Sequence, residues 1–337
     1  ATTLVGELVR GTGLDAAVAG NISPAALTEL MTRLDSDRIP AVWVLELSSF
    51  QLETTAKLGA DAAAVLNVTD DHLDRHGSMK AYAATKADIF QACPIRILNR
   101  DDSLVMGMAE EFKSGEQVLS FGLNLPDAGH YGIRNIAGEC WLVRGAQSLM
   151  ARKELLLAGD HNVANALAAL ALCEAIGLPI EPVLDALKRF KGLPHRVEWV
   201  GQRESGVDFY DDSKGTNVGA TLAALQGLGR RVVLIAGGDG KGQDFTPLRE
   251  AFRVHARAVV LIGRDAKKIE EQTAGEGVVF VHAKDMDDAV SQANALAQAG
   301  DAVLLSPACA SMDMFRNYAH RAQVFIAAVE RTPGVRR

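Results

Sequence analysis

The chain has 337 residues, with 35 lysines and arginines against 42 aspartates and glutamates, for a formal charge of −7. That balance argues against a broad surface for a phosphate backbone, while leaving room for one nucleotide in a local positive pocket. Hydrophobic residues at 48% and charged ones at 23% are ordinary globular composition, so disorder over most of the length is excluded.

The length suits two domains. No apolar run reaches the ~18–20 residues of a membrane span, and the first residues show no charged-then-apolar leader. Cys93, Cys140, Cys173 and Cys309 are scattered with no close pair. That pattern is neither a metal knuckle nor a disulfide framework, and it fits a reducing cytosol.

Leu4, Val5, Leu8 and Val9 recur at helical spacing, with Gly11 and Gly13 as the stop. Thr2 or Thr3 can cap such a helix. A helix of this type in an α/β protein usually follows a strand and a loop, and the expectation is that this one lacks what led into it. Residues 41–48 (AVWVLELS) are nearly all apolar, which predicts a strand buried on both faces of a parallel sheet. Residues 62–69 repeat the style, and residues 95–99 form a shorter strand. Between them, residues 79–92 read as a helix with Tyr82, Ile89 and Phe90 toward the core. Short strands with glycine turns over residues 117–157 predict an antiparallel patch. Helices follow at residues 162–176, closed by Gly177, and at residues 182–190.

The pattern changes around residues 192–196, where the boundary between a first domain (1–196) and a second (197–337) is placed. Strands at 207–211, 231–236, 257–262, 278–281 and 302–305 alternate with helices at 217–227, 246–254, 265–273, 286–299 and 313–331. This is a doubly wound α/β pattern, which places ligands at the carboxyl ends of its strands. Residues 332–337 read as a loose tail.

Glu46 lies inside an apolar strand, where a carboxylate is costly unless it is paired, hydrogen-bonded or metal-bound. Residues 67–74 (NVTDDHLD) bring His72 to the end of the next strand, together with Asp70, Asp71 and Asp74. Oxygen plus imidazole, with room for water, suits Mg²⁺ or Mn²⁺ held jointly with a substrate phosphate. Solvated loop acids and a surface histidine are the plain alternative. Lys86, in mid-helix, reads by itself as a surface lysine with a snorkelling stem. Asn162 and Asn165 open a helix, either as a cap or facing a nucleotide.

In the second domain, residues 211–217 (DDSKGTN), 236–241 (AGGDGK) and 306–311 (SPACAS) each follow a strand. Polar side chains, a glycine and a lysine at such an edge can bind phosphate or carboxylate. The second of these lacks dinucleotide-fingerprint spacing. Cys309 sits in an apolar setting with no evident histidine partner, which favours a buried thiol over a nucleophile. The convergence of these loops on one sheet edge carries more weight than any one of them.

Residues 46–53 (ELSSFQLE), 67–72 (NVTDDH), 192–196 (GLPHR), 212–217 (DSKGTN), 237–241 (GGDGK) and 306–311 (SPACAS) together resemble the Mur ligase family. The resemblance covers essentially the whole chain, and the Asp-Ser-Lys stretch is similar to that of the member that adds D-glutamate. It implies a central ATPase-type mixed-sheet domain followed by a Rossmann-like amino-acid-binding domain, with ATP held between them. It also implies a cytoplasmic, monomeric enzyme without nucleic acid. The reaction implied joins D-glutamate to UDP-N-acetylmuramoyl-L-alanine through an acyl phosphate, for peptidoglycan synthesis.

Residue by residue, the resemblance implies that Asn21 contacts phosphate or the sugar substrate and that Ser48 lines the substrate pocket. Glu46 and His72 would hold magnesium, and Lys86 would be carbamylated by CO₂ to support a second magnesium. Asn162 and Asn165 would face ATP, with Arg196 and Asp212 on its phosphates and ribose. Lys214, Thr216, Lys241, Ser311 and Tyr318 would receive D-glutamate, although the family pattern has phenylalanine where Tyr318 stands.

Two features of the family are not found in the 337 residues: an initial uridine-binding domain, and a glycine-rich phosphate loop ending in Lys-Ser/Thr. Residues 2–7 (TTLVGE) resemble the helix just after that loop. The chain is therefore expected to be a truncated ligase with little or no activity alone. A non-catalytic nucleotide- or amino-acid-binding module and a folylpolyglutamate-type amide ligase are the competing readings. An oxidoreductase is disfavoured because fold does not fix function and the fingerprint is absent.

Overall fold

Leu4, Val5, Leu8 and Val9 are all buried, so the helical stripe at the start of the chain faces a core. In the computed structural model, which describes residues 1–69, 72–111, 117–157, 159–275 and 277–336, that helix belongs to the first of two compact units. The units are Ala1–Phe190 and Lys191–Arg337, so Lys191–Arg196, expected in the first domain, falls in the second unit. Asp70 and Asp71 lie outside the described residues, and the side chain of Asp74 is likewise not described.

The first unit opens with α1 (Thr2–Gly11), β1 (Ala16–Gly20), α2 (Ala26–Asp35), β2 (Val42–Glu46) and α3 (Ser49–Thr54). It continues through β3 (Ala62–Val65), α4 (Leu73–His76), α5 (Met79–Ala87), β4 (Ile95–Asn99) and α6 (Ser103–Gly107). The strands β5 (Gln117–Phe121), β6 (Tyr131–Ile136), β7 (Glu139–Arg144) and β8 (Gln147–Ala151) lead to α7 (Asp160–Ala175) and α8 (Ile180–Arg189).

β1 and β2 form a parallel pair, while β3 to β8 form a six-stranded sheet in sequence order. β3, β4, β5 and β6 pair in parallel, and β6, β7 and β8 are antiparallel. The expected antiparallel patch therefore begins only at β6. A second correction concerns β2, which is half-buried at every residue and not covered on both faces. Among the described residues it pairs with β1 alone, so its other edge lacks the neighbour its sequence suits.

The core of this unit is organised by α7. Val163, Leu167, Leu170 and Cys173 are buried together with Ala166, Ala168, Ala169 and Ala171, so the helix is apolar almost all round. Its small side chains let it lie close to β3, β4, β5 and β6. Near its end Glu174 is gripped by Arg144 of β7, whose Nε donates at 2.6 Å, and by the Tyr131 hydroxyl of β6. By contrast, α2 buries none of its residues.

The second unit carries β9 (Glu198–Arg203), β10 (Val207–Asp211), α9 (Val218–Gly227), β11 (Val232–Gly237) and α10 (Leu248–His255). After these come β12 (Ala256–Ile262), α11 (Ala266–Thr273), β13 (Val279–His282), α12 (Met286–Leu296), β14 (Ala302–Leu305), α13 (Tyr318–Glu330) and β15 (Val335–Arg336). Its sheet has the order β13-β12-β11-β14-β10-β9-β15. The strands from β13 to β10 are parallel, and β11 and β14 are buried at every residue, as apolar runs covered on both faces require. The short β15 pairs antiparallel with β9, so the chain end expected to be a loose tail is tied down through Val335 and Arg336. The last helix starts at Tyr318, capped by Asn317, later than the expected residue 313.

These packing differences set an expectation for stability. Leu170→Ala, at a fully buried position in α7, will lower the unfolding free energy by about 2–5 kcal/mol. Leu27→Ala, at a position 69% exposed in α2, will change it by less than about 0.5 kcal/mol. Urea titration of the two variants against the parent checks the contrast.

Candidate functional site

Parallel pairing of β1 with β2 sets Gly20 opposite Glu46. The approach is so close that a Cβ on Gly20 would lie 2.2 Å from the Glu46 carbonyl oxygen, and Gly20 has φ +117°. Only glycine fits there. Just beyond, the Asn21 backbone N–H donates to the Glu46 carbonyl at 2.7 Å, and Thr2 Oγ1 donates to Glu46 Oε2 at 3.1 Å. The carboxylate expected to need a partner thus has one in the first residue of α1.

Ser48 caps α3: its Oγ accepts from the Gln51 N–H, and the Gln51 side chain returns to the Ser48 N–H at 2.9 Å. The Ser48 hydroxyl therefore already has a structural task. Asn21, Glu46 and Ser48 share one end of the β1–β2 pair.

A second cluster is aromatic. The next residue but one after Ser48, Phe50, meets the His72 ring edge-on with centroids 4.9 Å apart. The Lys86 Nζ stands 4.8 Å from the centroid of the Tyr82 ring, and the His72 ring lies 6.4 Å from that same tyrosine. His76, between Phe50 and Tyr82, hydrogen-bonds Ser49 Oγ through Nε2 at 3.0 Å. Tyr82, read from sequence only as a core residue, is the plate against which His72 and Lys86 both sit. Lys86 is half-buried, not a free surface lysine.

At the start of α7 the cap position is Gly159, with no side-chain cap. Asn162 and Asn165 are one turn apart, half-buried, and neither is the N-cap, so the plain capping explanation fails for both.

In the second unit the loops after β10, β11 and β14 are bound to one another. Ser306 Oγ donates to Asp212 Oδ2 at 2.7 Å, and the Asp212 N–H donates to the Leu305 carbonyl at 2.7 Å. The Gly237 N–H reaches the Pro307 carbonyl at 2.9 Å, and Asp239 and Ala310 exchange backbone hydrogen bonds in a single β-bridge. Gly238, at φ +133°, passes so near this strand that a Cβ would lie 2.3 Å from the Ala310 carbonyl. Fully buried Arg321 completes the assembly: its Nε and Nη2 donate to Ser213 Oγ and carbonyl at 3.0 and 2.8 Å, and its Nη1 donates to the Cys309 carbonyl at 3.1 Å. Burial lowers this guanidinium to about 10.

Around that frame stand the expected ligand groups. Lys214 Nζ lies 5.5 Å from the Tyr318 ring, and the His195 ring packs edge-on against the same tyrosine at 6.1 Å. Lys214 and Lys241 are exposed, Thr216 is half-buried and Ser311 is buried. Arg196 is exposed and close enough to Asp212 for its charge to be felt there.

His195 was given no role by sequence reasoning, yet its Nδ1 shares a 2.6 Å hydrogen bond with buried Asp211. Its backbone N–H donates to Glu198. These three residues bring donor atoms within 4.8 Å of one another. Arg321 was also missed, although an arginine inside the apolar run of residues 318–329 was a signal. Cys309 is fully buried, and burial pushes its thiol up to about 12, which suits an unreactive sulfur.

The fold and these loops have counterparts. Residues 3–173 match the Mur ligase middle domain and residues 195–309 the Mur ligase, glutamate ligase domain. The chain belongs to the Mur ligase family. Among curated relatives, it is 59% identical to the UDP-N-acetylmuramoylalanine–D-glutamate ligase of Aromatoleum aromaticum, across 99% of this chain and 72% of that protein. It is 55% identical to the enzyme of the same name from Nitrosospira multiformis, across 97% of this chain and 69% of that protein.

Among solved structures, MurF from Acinetobacter baumannii aligns with a TM-score of 0.70 at 17% identity, covering 98% of this chain and 75% of that one. A UDP-N-acetylmuramoyl-L-alanyl-D-glutamate–2,6-diaminopimelate ligase gives 0.67 at 22% identity, covering 98% and 76%. These two share the fold. No helix among the described residues is long and apolar enough to cross a membrane.

Asp212 offers a titration test of this geometry. Burial pushes its carboxyl up to about 7, and neighbouring Asp211 adds to the rise, against the Ser306 hydrogen bond. The folded state then holds this proton more tightly than the unfolded chain, whose carboxyl titrates near ~4. Stability from this group is present at low pH and falls as pH rises through about 7. In denaturant titrations across that range, Asp212→Asn will show a smaller fall than the parent.

Proposed function

We propose that the chain supplies the catalytic middle and amino-acid-binding parts of an ATP-dependent ligase that joins D-glutamate to UDP-N-acetylmuramoyl-L-alanine. The observation that carries the reading is the union of the loops after β10, β11 and β14 around Lys214, Lys241, Ser311 and Tyr318. It stands in a chain 59% identical to a relative named for that reaction.

A carboxylate is a poor electrophile until it is phosphorylated. In this reading the γ-phosphoryl group of ATP passes to the alanine carboxylate, ADP leaves, and the D-glutamate amine attacks the acyl carbon, expelling phosphate. Phosphoryl transfer of this kind depends on positioning and charge neutralisation. Lys214 and Lys241, with the hydroxyls of Thr216 and Ser311, give cationic and donor groups for the two carboxylates of the incoming amino acid. Tyr318, packed on Lys214, limits where that ammonium can point and so helps aim the substrate amine.

In this reading Asn162 and Asn165, on the first turns of α7, face ATP, and Arg196 and Asp212 meet its phosphates and ribose. Asn21 and Ser48 border the sugar substrate. The carboxylate of Glu46 and the imidazole of His72 are a donor set that fits Mg²⁺ or Mn²⁺ shared with phosphate oxygens. A divalent ion bound there would offset phosphate charge. A CO₂-derived carbamate on Lys86 would turn a cation into an anion beside Tyr82 and support a second ion. The enzyme acts in the cytoplasm, as a monomer.

The 337 residues contain no Gly-x-x-x-x-Gly-Lys-Ser/Thr, the loop whose backbone amides cradle phosphates. They are expected to release little or no phosphate by themselves. The test joins them to a phosphate-loop segment of the family and measures phosphate release from ATP. Release should require both UDP-N-acetylmuramoyl-L-alanine and D-glutamate. Equal release with L-glutamate, L-lysine or diaminopimelate would overturn the assignment. Lys214→Ala should raise the KM for D-glutamate at least ~10-fold, as expected for loss of a charge-assisted contact.

A further inference from the structure

The loop after β11 turns sharply at residues 240–243, where the Gln243 N–H donates to the Gly240 carbonyl at 2.9 Å. Its two central residues, Lys241 at φ +49° and Gly242 at φ +81°, are both left-handed, in a turn geometry dominated by glycine, asparagine and aspartate. A lysine keeps such a backbone only where its surroundings over-determine it. The Gln243 side chain, half-buried, does this. Its Oε1 accepts from the Val218 N–H at 3.2 Å, and its Nε2 donates to the Gly240 carbonyl at 3.0 Å and to the Ala308 carbonyl at 3.3 Å. A primary amide has two donors and one carbonyl, so all of its groups are used. One N–H partner and two carbonyl partners also fix which end of the amide is oxygen.

Those three partners lie on three different loops. Val218 opens α9 two residues after Thr216, Gly240 precedes Lys241, and Ala308 stands three residues before Ser311. The Arg321 contacts reach the loops after β10 and β14. The Asp239–Ala310 bridge joins the loop after β11 to the one after β14, and the Gly240 N–H is held by Asp265 Oδ2 at 2.7 Å. None of these contacts connects the loop of Lys241 to the loop of Thr216. The Gln243 amide does.

We propose that Gln243 is a positioning residue: by spanning the three loops it sets the separation between Lys241 and the hydroxyls of Thr216 and Ser311, and with it the length of the acidic amino acid that this edge accepts. The length selection rests on the D-glutamate assignment above, whereas the cross-link between loops does not. Two carboxylates on one ligand need partners a fixed span apart, and partners on separate loops keep that span only if the loops cannot slide past one another. Gln243 acts through the backbone it holds and needs no contact with the ligand.

The test uses Gln243→Met, which keeps the length of the side chain and loses all three hydrogen bonds, and Gln243→Glu, which keeps an acceptor for Val218 and loses both donors. Residue-resolved hydrogen exchange on the 337-residue chain without ligand should show the amides of Asp239 and Ala310 at least ~10-fold faster in both variants. The Val218 amide should be faster in Gln243→Met alone, and the amides of β11 and β14 should match the parent, which shows that the sheet is intact. In the phosphate-release assay on the chain joined to a phosphate-loop segment, Gln243→Met should raise the KM for D-glutamate at least ~10-fold and leave the KM for ATP within about twofold. Its preference for D-glutamate over D-aspartate should fall at least ~5-fold, which a loss of stability alone would not cause. Parent-like exchange at Val218, Asp239 and Ala310 in Gln243→Met would overturn the cross-link. Faster exchange with an unchanged preference would overturn the length selection. A parent that releases no phosphate in response to D-glutamate would overturn the D-glutamate assignment and the length selection with it, while faster exchange in the variants would still support the cross-link.

Discussion

The buried Arg321 guanidinium is the constraint on which the second unit's functional edge depends. Three of its nitrogens donate to Ser213 and to the Cys309 carbonyl, groups on loops almost a hundred residues apart in sequence. A guanidinium with no exposed surface is tolerable only when its donors are used, and removing one side of such an arrangement leaves an uncompensated buried charge. The carbonyls it holds belong to loops that have no regular ladder of their own. Without that fastening, the turn carrying Lys214 and the turn carrying Ser311 would each be free to choose a conformation. Exposed Lys214 thus stands on a fixed base, and the fixing is done by a residue that need not touch any ligand.

The same logic separates the two kinds of polar residue in the first unit. Ser48 and Gln51 satisfy each other in a capping box, and Thr2 satisfies Glu46, so these groups have structural partners before any ligand arrives. Asn162 and Asn165 lie on the first turns of α7, whose cap position is Gly159. Amides on the first turns of a helix, where N–H groups point outward and the dipole is positive, suit an anionic neighbour better than they suit the core. The aromatic ring of Tyr82 restricts His72 and Lys86 through packing.

Much of this was legible in the sequence because parallel strands buried on both faces announce themselves. The apolar runs at 232–237, 256–262 and 302–305 leave no other reading, and the polar loops after them follow from chain direction alone. Segments of mixed character were not legible. β1 (Ala16–Gly20) is only five residues of alanine, valine and glycine, with low intrinsic strand preference, and its pairing to β2 is a tertiary fact. α2 hides because it buries nothing, and β15 because a two-residue strand is defined only by its partner. Arg321 and His195 escaped for a different reason: each acts through a contact to a residue far along the chain, and no local spacing encodes that.

β2 shows how a sequence expectation can miss the observed burial and still describe the chemistry correctly. Residues 42–45 are apolar without alternation, which is the composition of a strand with neighbours on both edges and cover on both faces. Each is only half-buried. A strand that evolved for an edge would carry charges, a proline or a bulge to discourage pairing, and this stretch carries none of them before Glu46. Its composition and its surroundings therefore disagree, and the disagreement has a direction: the side chains are suited to a more enclosed environment than the described residues provide. β3, built from Ala62 to Val65 with no charge of its own, is better covered: Ala63 and Val65 are buried while Ala62 and Ala64 are half-buried, so one of its faces packs on the core.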